Sequence, residues 1–388
     1  MHMLNSSVTN FSIGASPPET NENATVKVLI QPDEGIAPVL AGIESAKETI
    51  EIVIFRFDRG EIEKALEAAA ARGVFVHALI AYRNRGGEKK LRRLETRLLE
   101  AGVTVARTAD NLARYHDKFM IIDRRLLYLL AFNYTYLDID HSRSFGIIIK
   151  NSQLVQEAVN LFEADAKRQP YMPGLDSFIV SPANARQQLT KFITGARKQL
   201  LIYDGKLSDS QMINLLQSRA KTGVQIKVIG RIGKRGAGVE VGKLPRMRLH
   251  GQAIVRDGSQ IFVGSQSLRK AELDTRRELG VIIRDTNAVK RLLTTFEADW
   301  TLIELAKTRS AIAKEAVIPA AKAVANNLPD LAPIIKEAVE DVVTETCDTP
   351  AKLEEVSEAV KEAVKEAVKE AVKEAVKETV EQTRTSDS

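Results

Sequence analysis

The 388-residue sequence holds one cysteine, Cys347, which excludes an intrachain disulfide framework and fits a reducing compartment. No run of 18 apolar residues occurs, so no segment reads as a membrane-spanning helix. The first 25 residues, MHMLNSSVTNFSIGASPPETNENAT, lack the basic start and apolar stretch of a secretory signal. The expected location is therefore the cytoplasm, with lipid reached only peripherally, from the membrane surface. Aromatic residues make up 5% of the chain, which argues against stacking platforms for single-stranded bases. No cysteine and histidine grouping has zinc-site spacing and no H-E-x-x-H is present, so neither metal nor cofactor is expected. The basic, glycine-rich stretch IGRIGKRGAGVEVGK (229 to 243) lacks the order of a phosphate-binding P-loop and reads as a mobile loop, with substrate gating or phosphate steering as the sharper alternative.

What is present is an uneven charge and a repeated rhythm. Residues 351–388 carry seven Lys/Arg against ten Asp/Glu, a net of −3, so the preceding 350 residues carry +8 of a total of +5. A basic body suits a phosphate-bearing partner without separating lipid headgroup from nucleic acid. Residues 1–25 have the composition of a disordered segment. Strand-like runs then alternate with helical ones: IEIVIFRF (50–57), GEIEKALEAAAARG, VFVHALIAY (74–82), a basic amphipathic helix at 88–101, and VTVART. The order recurs from ARQQLTKFITGARKQLLIYDGK (185–206), and the halves close on NLFEADAK and TTFEADW. A period of about 135 residues exceeds any solenoid repeat and points to a duplicated α/β domain with one pocket between the copies. The expected boundaries are 26–170 and 171–305, followed by a helical extension (306–350) and the KEAV-repeat tail (351–388). In that tail valine recurs every four residues, so its apolar stripe drifts around a helix. It reads as a solvated semi-rigid spacer, with binding of a partner helix or contact with a membrane surface as the alternatives, the latter opposed by the tail's acidic balance.

The two halves also share a polar pattern. The first has His116, Asp117, Lys118, FMII and Asp123; the second has His250, Gly251, Gln252, AIVR and Asp257. Seventeen residues past each histidine stand Asn133 and Ser267, the latter in GSQSL with Ser265, and twenty-eight past stand Ser144 and Glu278. In a strand, residues i and i+2 share a face, so His116 points with Lys118 and His250 with Gln252. Asp123 and Asp257 lie at odd spacing from their histidines, and a structural role at a hairpin end is as good a reading as catalysis. His77, inside VFVHALI without a polar companion, reads as a core or sheet-edge histidine. EKKLRRLETR reads as a solvated helix face.

This constellation resembles the phospholipase D superfamily, whose signature H-x-K-x-x-x-x-D followed by G-S-x-N occurs twice per active site. The likeness covers roughly residues 27–303. It implies a duplicated α/β sandwich with mixed sheets flanked by helices, a pseudo-twofold axis, and metal-independent phosphodiester chemistry through a phosphohistidine. Carried onto this sequence, it implies catalytic roles for His116, Lys118, Asp123, His250, Asp257 and Glu278. His116 is then the nucleophile and His250 general acid then base, or the reverse, with Glu278 orienting His250. Lys118, Asn133, Gln252, Ser265 and Ser267 hold the phosphate. Three positions depart from the pattern: Gln252 replaces the second lysine, Leu130-Ala131 the first G-S pair, and Ser144 the first glutamate. Asp138, Asp140 or His141 are candidates to compensate for that glutamate, and Arg143, Arg276 or Arg277 for the lysine. The implied substrate is a phospholipid, hydrolysed or used for phosphatidyl transfer of the cardiolipin-synthase kind. A nuclease, with nucleic acid as partner, and an inactive phosphate-binding scaffold are the alternatives.

Overall fold

The computed structural model describes residues 25–84, 87–233 and 238–327; the KEAV-repeat tail, Cys347 and nearly all of the N-terminal segment lie outside the described residues. The chain divides into two compact units, residues 1–303 and 304–388. Of the second, the described part is a helical stretch ending at Asn327, in which Lys307 pairs with Glu304 at 2.9 Å.

The first half supplies strands β1 (Thr25–Gln31), β2 (Thr49–Ile54), β3 (Phe75–Ile80), β4 (Thr104–Arg107), β5 (Arg114–Tyr115), β6 (Phe119–Ile122), β7 (Leu126–Leu130) and β8 (Ser142–Lys150). Its helices are α1 (Ala37–Ser45), α2 (Gly60–Ala71), α3 (Glu88–Glu100), α4 (Tyr136–Asp140) and α5 (Ser152–Ala166). The second half repeats them as β9 (Phe178–Ser181), β10 (Gln199–Leu207), β11 (Gln225–Ile232), β12 (Val239–Gly242), β13 (Arg248–Leu249), β14 (Gln252–Arg256), β15 (Gln260–Gly264) and β16 (Arg276–Ile283). Its helices are α6 (Ala185–Thr194), α7 (Ser210–Lys221), α8 (Lys270–Asp274) and α9 (Thr286–Asn327).

One sheet runs β1-β8-β7-β6-β2-β3-β4 and the other β12-β11-β10-β14-β15-β16 with β9 on β16, so each strand of one has its counterpart in the other. In both, the strands joined by helical crossovers pair in parallel (β2 with β3, β10 with β11), whereas the hairpin strands pair antiparallel (β6 with β7, β14 with β15). The central strands are apolar on both faces, as β2 shows with Ile50, Ile52, Val53 and Ile54 all buried. A core shared by both halves packs Phe119, Phe145 and Phe162 with Phe178, Tyr203, Leu279 and Phe296. Separate apolar layers lie under α1–α3 and under α6–α7.

The two short strands β5 and β13 break this tidy division. β5 belongs to the first half but pairs in parallel with β16 of the second, and β13 of the second pairs with β8 of the first. The histidine motifs begin immediately afterwards. The His116 N–H donates to the Arg277 carbonyl (2.8 Å) and the His250 N–H to the Arg143 carbonyl (3.0 Å), after which each segment rejoins its own sheet. The continuous strand expected over the first motif is thus split at His116–Lys118, the point where the chain changes sheets. Gly251 is required there, because a Cβ on it would lie 2.7 Å from the Phe145 backbone nitrogen.

Asp123 and Asp257 take the structural option that the sequence left open, and their assignment as catalytic is corrected. Each sits at a hairpin end with φ near +50° (52° and 54°), a left-handed conformation aspartate tolerates. Asp123 accepts from the N–H groups of Lys47, Glu48 and Thr49, and Asp257 from those of Arg197, Lys198 and Gln199. These donors hold both carboxyls below the usual range against the opposing effect of burial. His77 packs edge-on against Phe162 (4.9 Å) in β3, as a sheet histidine. Replacing Asp257 by alanine is expected to lower stability by about 2 kcal/mol, read as a lower urea midpoint at unchanged slope. An activity loss at full occupancy of the fold would instead restore a catalytic role.

Candidate active site

Because both motif segments change sheets at the same interface, their side chains open into one cavity of about 340 Å³. Its lining includes His116, Lys118, His250, Gln252, Ser265 and Ser267, joined by Arg114, Lys206, Arg269, Glu272 and Arg276. His116 and Lys118 do share a side: the Lys118 Nζ lies 3.1 and 3.2 Å from the two ring nitrogens. Phe55 packs edge-on against the His116 ring at 4.6 Å and closes that flank.

Glu278 holds His116, not His250 as family analogy implied. Its carboxylate lies 2.9 and 3.1 Å from His116 Nδ1. The reason is topological: β16 carries Glu278 and runs beside β5, so this carboxylate faces the opposite half's motif. A carboxylate can only accept, so Nδ1 carries the proton and Nε2 is the acceptor nitrogen, facing the Lys118 Nζ at 3.2 Å. Burial, then the Lys118, Arg276 and Arg114 charges, hold His116 well below the ordinary histidine range. Burial likewise pushes Glu278 up to about 7 and Lys118 down to about 8.

His250 is held differently. Arg248 donates to its Nδ1 at 2.8 Å, and Asp138 lies 3.1 Å from its Nε2. The same guanidinium donates to Asp138 (2.6 Å) and to the Ser142 hydroxyl (3.0 Å). Arginine can only donate and a carboxylate only accept, so the His250 proton resides on Nε2. Burial holds its pKa down at about 3, against the opposing pull of Asp138. Ser144, in the position of the missing glutamate, turns away and donates to the Asp138 carbonyl (3.1 Å). Of the three residues considered as its replacement, only Asp138 reaches a motif imidazole, and it reaches that of His250. Asp140 pairs with Arg59 instead.

The remaining candidates divide. Asn133 donates to Asp138 (2.5 Å) and lies 3.4 Å from His250 Nε2, but is not among the residues lining the cavity. The Ser267 hydroxyl is taken by Asp204 (2.6 Å), and Ser265 bridges to Leu279. Gln252, with its amide turned to satisfy both neighbours, donates to the Gly264 and Ser265 carbonyls (3.3 and 3.0 Å), so its N–H groups serve the backbone. Arg143 and Arg277 do not replace the missing lysine. Each is buried in a structural pair, with Asp299 (2.9 Å) and Asp165 (2.9 Å). Arg276 does line the cavity, tied to Glu272 at 2.9 Å. Sequence reasoning missed Arg114, Lys206 and Arg269, which line the cavity, and Arg248 beside His250; of these, Arg114 and Arg248 had a signal, since R-x-H stands twice in the sequence, with the arginine two residues before each motif histidine.

Two opposed motif histidines on a duplicated sandwich of mixed sheets define the class. The chain belongs to the phospholipase D superfamily: the family described as "Cardiolipin synthase, PLD-like domain" matches residues 39–166 and 189–300, more than half of the sequence. Among curated proteins it is similar to cardiolipin synthase B of Escherichia coli, at 24% identity over 326 residues, covering 69% of this chain and 78% of that one. Among solved structures, phosphatidylserine synthase of Haemophilus influenzae superposes with a TM-score of 0.55 at 12% identity, covering 72% of this chain and 86% of the other. Polyphosphate kinase of Porphyromonas gingivalis gives 0.60 at 19% identity over 71% of this chain, which spans half of that protein's length. At these identities the structural likenesses speak for the fold.

The ionisations set the expected pH profile. Glu278 becomes a carboxylate above about 7 and Lys118 loses its charge above about 8, so chemistry needing both rises through the first value and falls through the second. The dependence of kcat/KM on pH is expected to be a narrow bell between them. Glu278→Gln should abolish the acid limb, and Lys118→Arg should move the basic limb upward.

Proposed function

We propose that the chain is a phosphodiesterase of the phospholipase D type that acts on phospholipid, by hydrolysis or by phosphatidyl transfer, through a phosphohistidine at His116. The observation that carries this reading is the opposite hydrogen bonding of the two imidazoles in one cavity. A carboxylate on Nδ1 of His116 enriches the ring and makes Nε2 the better nucleophile. A guanidinium on Nδ1 of His250 withdraws electron density and makes Nε2–H the better acid. The negative charge of a bound phosphodiester opposes the burial that holds the His250 pKa down.

The sequence of events follows. Once a bound phosphodiester draws Lys118 off His116 Nε2 and the His250 Nε2–H off Asp138, His116 Nε2 attacks phosphorus in line with the leaving oxygen, which takes the proton from His250 Nε2 as its bond to phosphorus breaks. Lys118, which pairs with no carboxylate among the described residues, offsets the charge that builds on the phosphoryl oxygens. An incoming water or alcohol then returns a proton to His250 Nε2 while its oxygen displaces His116. Phospholipid as the substrate rests on the cardiolipin synthase and phosphatidylserine synthase relatives. No described helix is long and apolar enough to cross a membrane, so access to lipid would be peripheral.

Mixing the protein with phosphatidylglycerol vesicles and quenching in base should trap an acid-labile phosphoryl adduct on His116. His116→Ala should lose about 10⁴-fold or more in kcat with every substrate. His250→Ala should slow release of an alkyl alcohol by about 10²- to 10⁴-fold while sparing a nitrophenyl ester, whose leaving group needs no proton. Arg248→Gln should show a weaker form of the same selectivity. Adduct formation on His250 would reverse the roles, and turnover of polynucleotide alone would move the reading to a nuclease.

A further inference from the structure

The two flanks of the catalytic cavity are built differently. Against His116 the ring of Phe55 packs edge-on at 4.6 Å. Behind His250 a second cavity of about 170 Å³ opens, sharing Gly205 and Leu249 with the first as common wall. Leu244 and Met247 contribute its apolar lining, and Arg231, Lys243 and Arg248 bring cations to it; no acidic side chain lines it. Arg248 shares its charge with Asp138, whereas Arg231 and Lys243 make no ion pair among the described residues. Glycine is obligatory in the floor: Gly230 has φ +140°, and a Cβ on it would lie 1.8 Å from the Asp204 carbonyl oxygen.

In-line displacement fixes which part of a substrate meets this cavity. With His116 as nucleophile, the group protonated by His250 departs on the His250 side, and the acceptor must enter from there. We infer that this cavity is the subsite for the leaving and accepting alcohol, and that its cations select an alcohol carrying an anionic group. The inference rests on the phosphodiesterase reading for its chemistry. In the transfer half, the P–N bond to His116 breaks as the acceptor oxygen bonds to phosphorus, and the acceptor proton passes to His250 Nε2, so no further reactant is required. A cationic alcohol such as choline is disfavoured by the same field, and the apolar lining accommodates its carbon frame without discriminating charge.

Three acceptors of similar reach separate the possibilities: glycerate (anionic), glycerol (neutral) and choline (cationic), each offered isotopically labelled with phosphatidylglycerol vesicles and followed by label entering the lipid. The KM for glycerate is expected to lie about 30-fold below that for glycerol, with choline poorest. In the double variant Arg231→Gln/Lys243→Gln the ratio should fall to about threefold. An unchanged ratio in that variant, or choline performing as well as glycerate, overturns the assignment. Calorimetric titration of the full chain with glycerate reads the subsite without turnover. A loss of about tenfold or more in affinity in the double variant supports the subsite even where no enzyme activity is found. Equal binding by both proteins, or none by wild type, refutes it even where the enzyme is active.

Discussion

Two backbone hydrogen bonds across the pseudo-symmetric interface organise this molecule: His116 N–H to the Arg277 carbonyl and His250 N–H to the Arg143 carbonyl. Each pins a motif histidine to the other half's sheet just before the chain turns back into its own. A strand that stayed in one sheet would carry its histidine into that sheet's core or onto its outer face, and two such histidines would not meet. The buried pairs Arg143 with Asp299 and Arg277 with Asp165 then brace the strands that receive these bonds. Their cost in desolvation is met by close geometry, with Tyr203 donating a further hydrogen bond to Asp299 at 2.8 Å. The site is therefore a property of the interface, which explains why both halves fold as one unit through residue 303.

Duplication supplies symmetry, but a displacement reaction does not use it. One imidazole must present a lone pair and the other a proton. A glutamate behind each ring would favour the first state in both; Ser144 removes one glutamate, and Arg248 fills the vacated role with the opposite electronic effect. The substitutions that look like decay in the sequence are consistent with a division of labour between the rings. Gln252 fits the same logic, since a second lysine beside His250 would add a cation to a ring already facing a guanidinium.

Much of the fold was legible because it depends on local periodicity. Apolar runs such as IEIVIF are long enough to be buried strands, and GEIEKALEAAAA is short and amphipathic enough to be a crossover helix. The motif histidines, Lys118 and the structural reading of the aspartates followed from alternation along a strand. What escaped was everything set by pairing between halves. Strand alternation says that His116 and Lys118 share a side, but not that the strand changes sheets between β5 and β6. It could not say that Glu278 would face His116, because that depends on β16 lying parallel to β5. Nor could it tell Arg276, which lines the cavity, from Arg277, which is buried with Asp165, since neighbours on a strand differ only in which face they meet.

In the proposed reaction, the motif residues at the centre and the asymmetric surroundings act on different parts of a substrate. The imidazoles, Lys118 and Glu278 see only a tetrahedral phosphorus and its oxygens, which every phosphodiester offers alike. Selection must come from what stands beyond the leaving oxygen and beyond the retained ester. Phe55 closes the His116 flank, so bulk on that side is met by an aromatic edge. On the His250 flank, Gly205 and Leu249 form the wall shared with a second cavity lined by cations. Charges that are exposed there are screened by salt within about 10 Å at ordinary ionic strength, so they discriminate best against a group held close, inside the cavity. Arg231 and Lys243, standing in its walls, satisfy that condition.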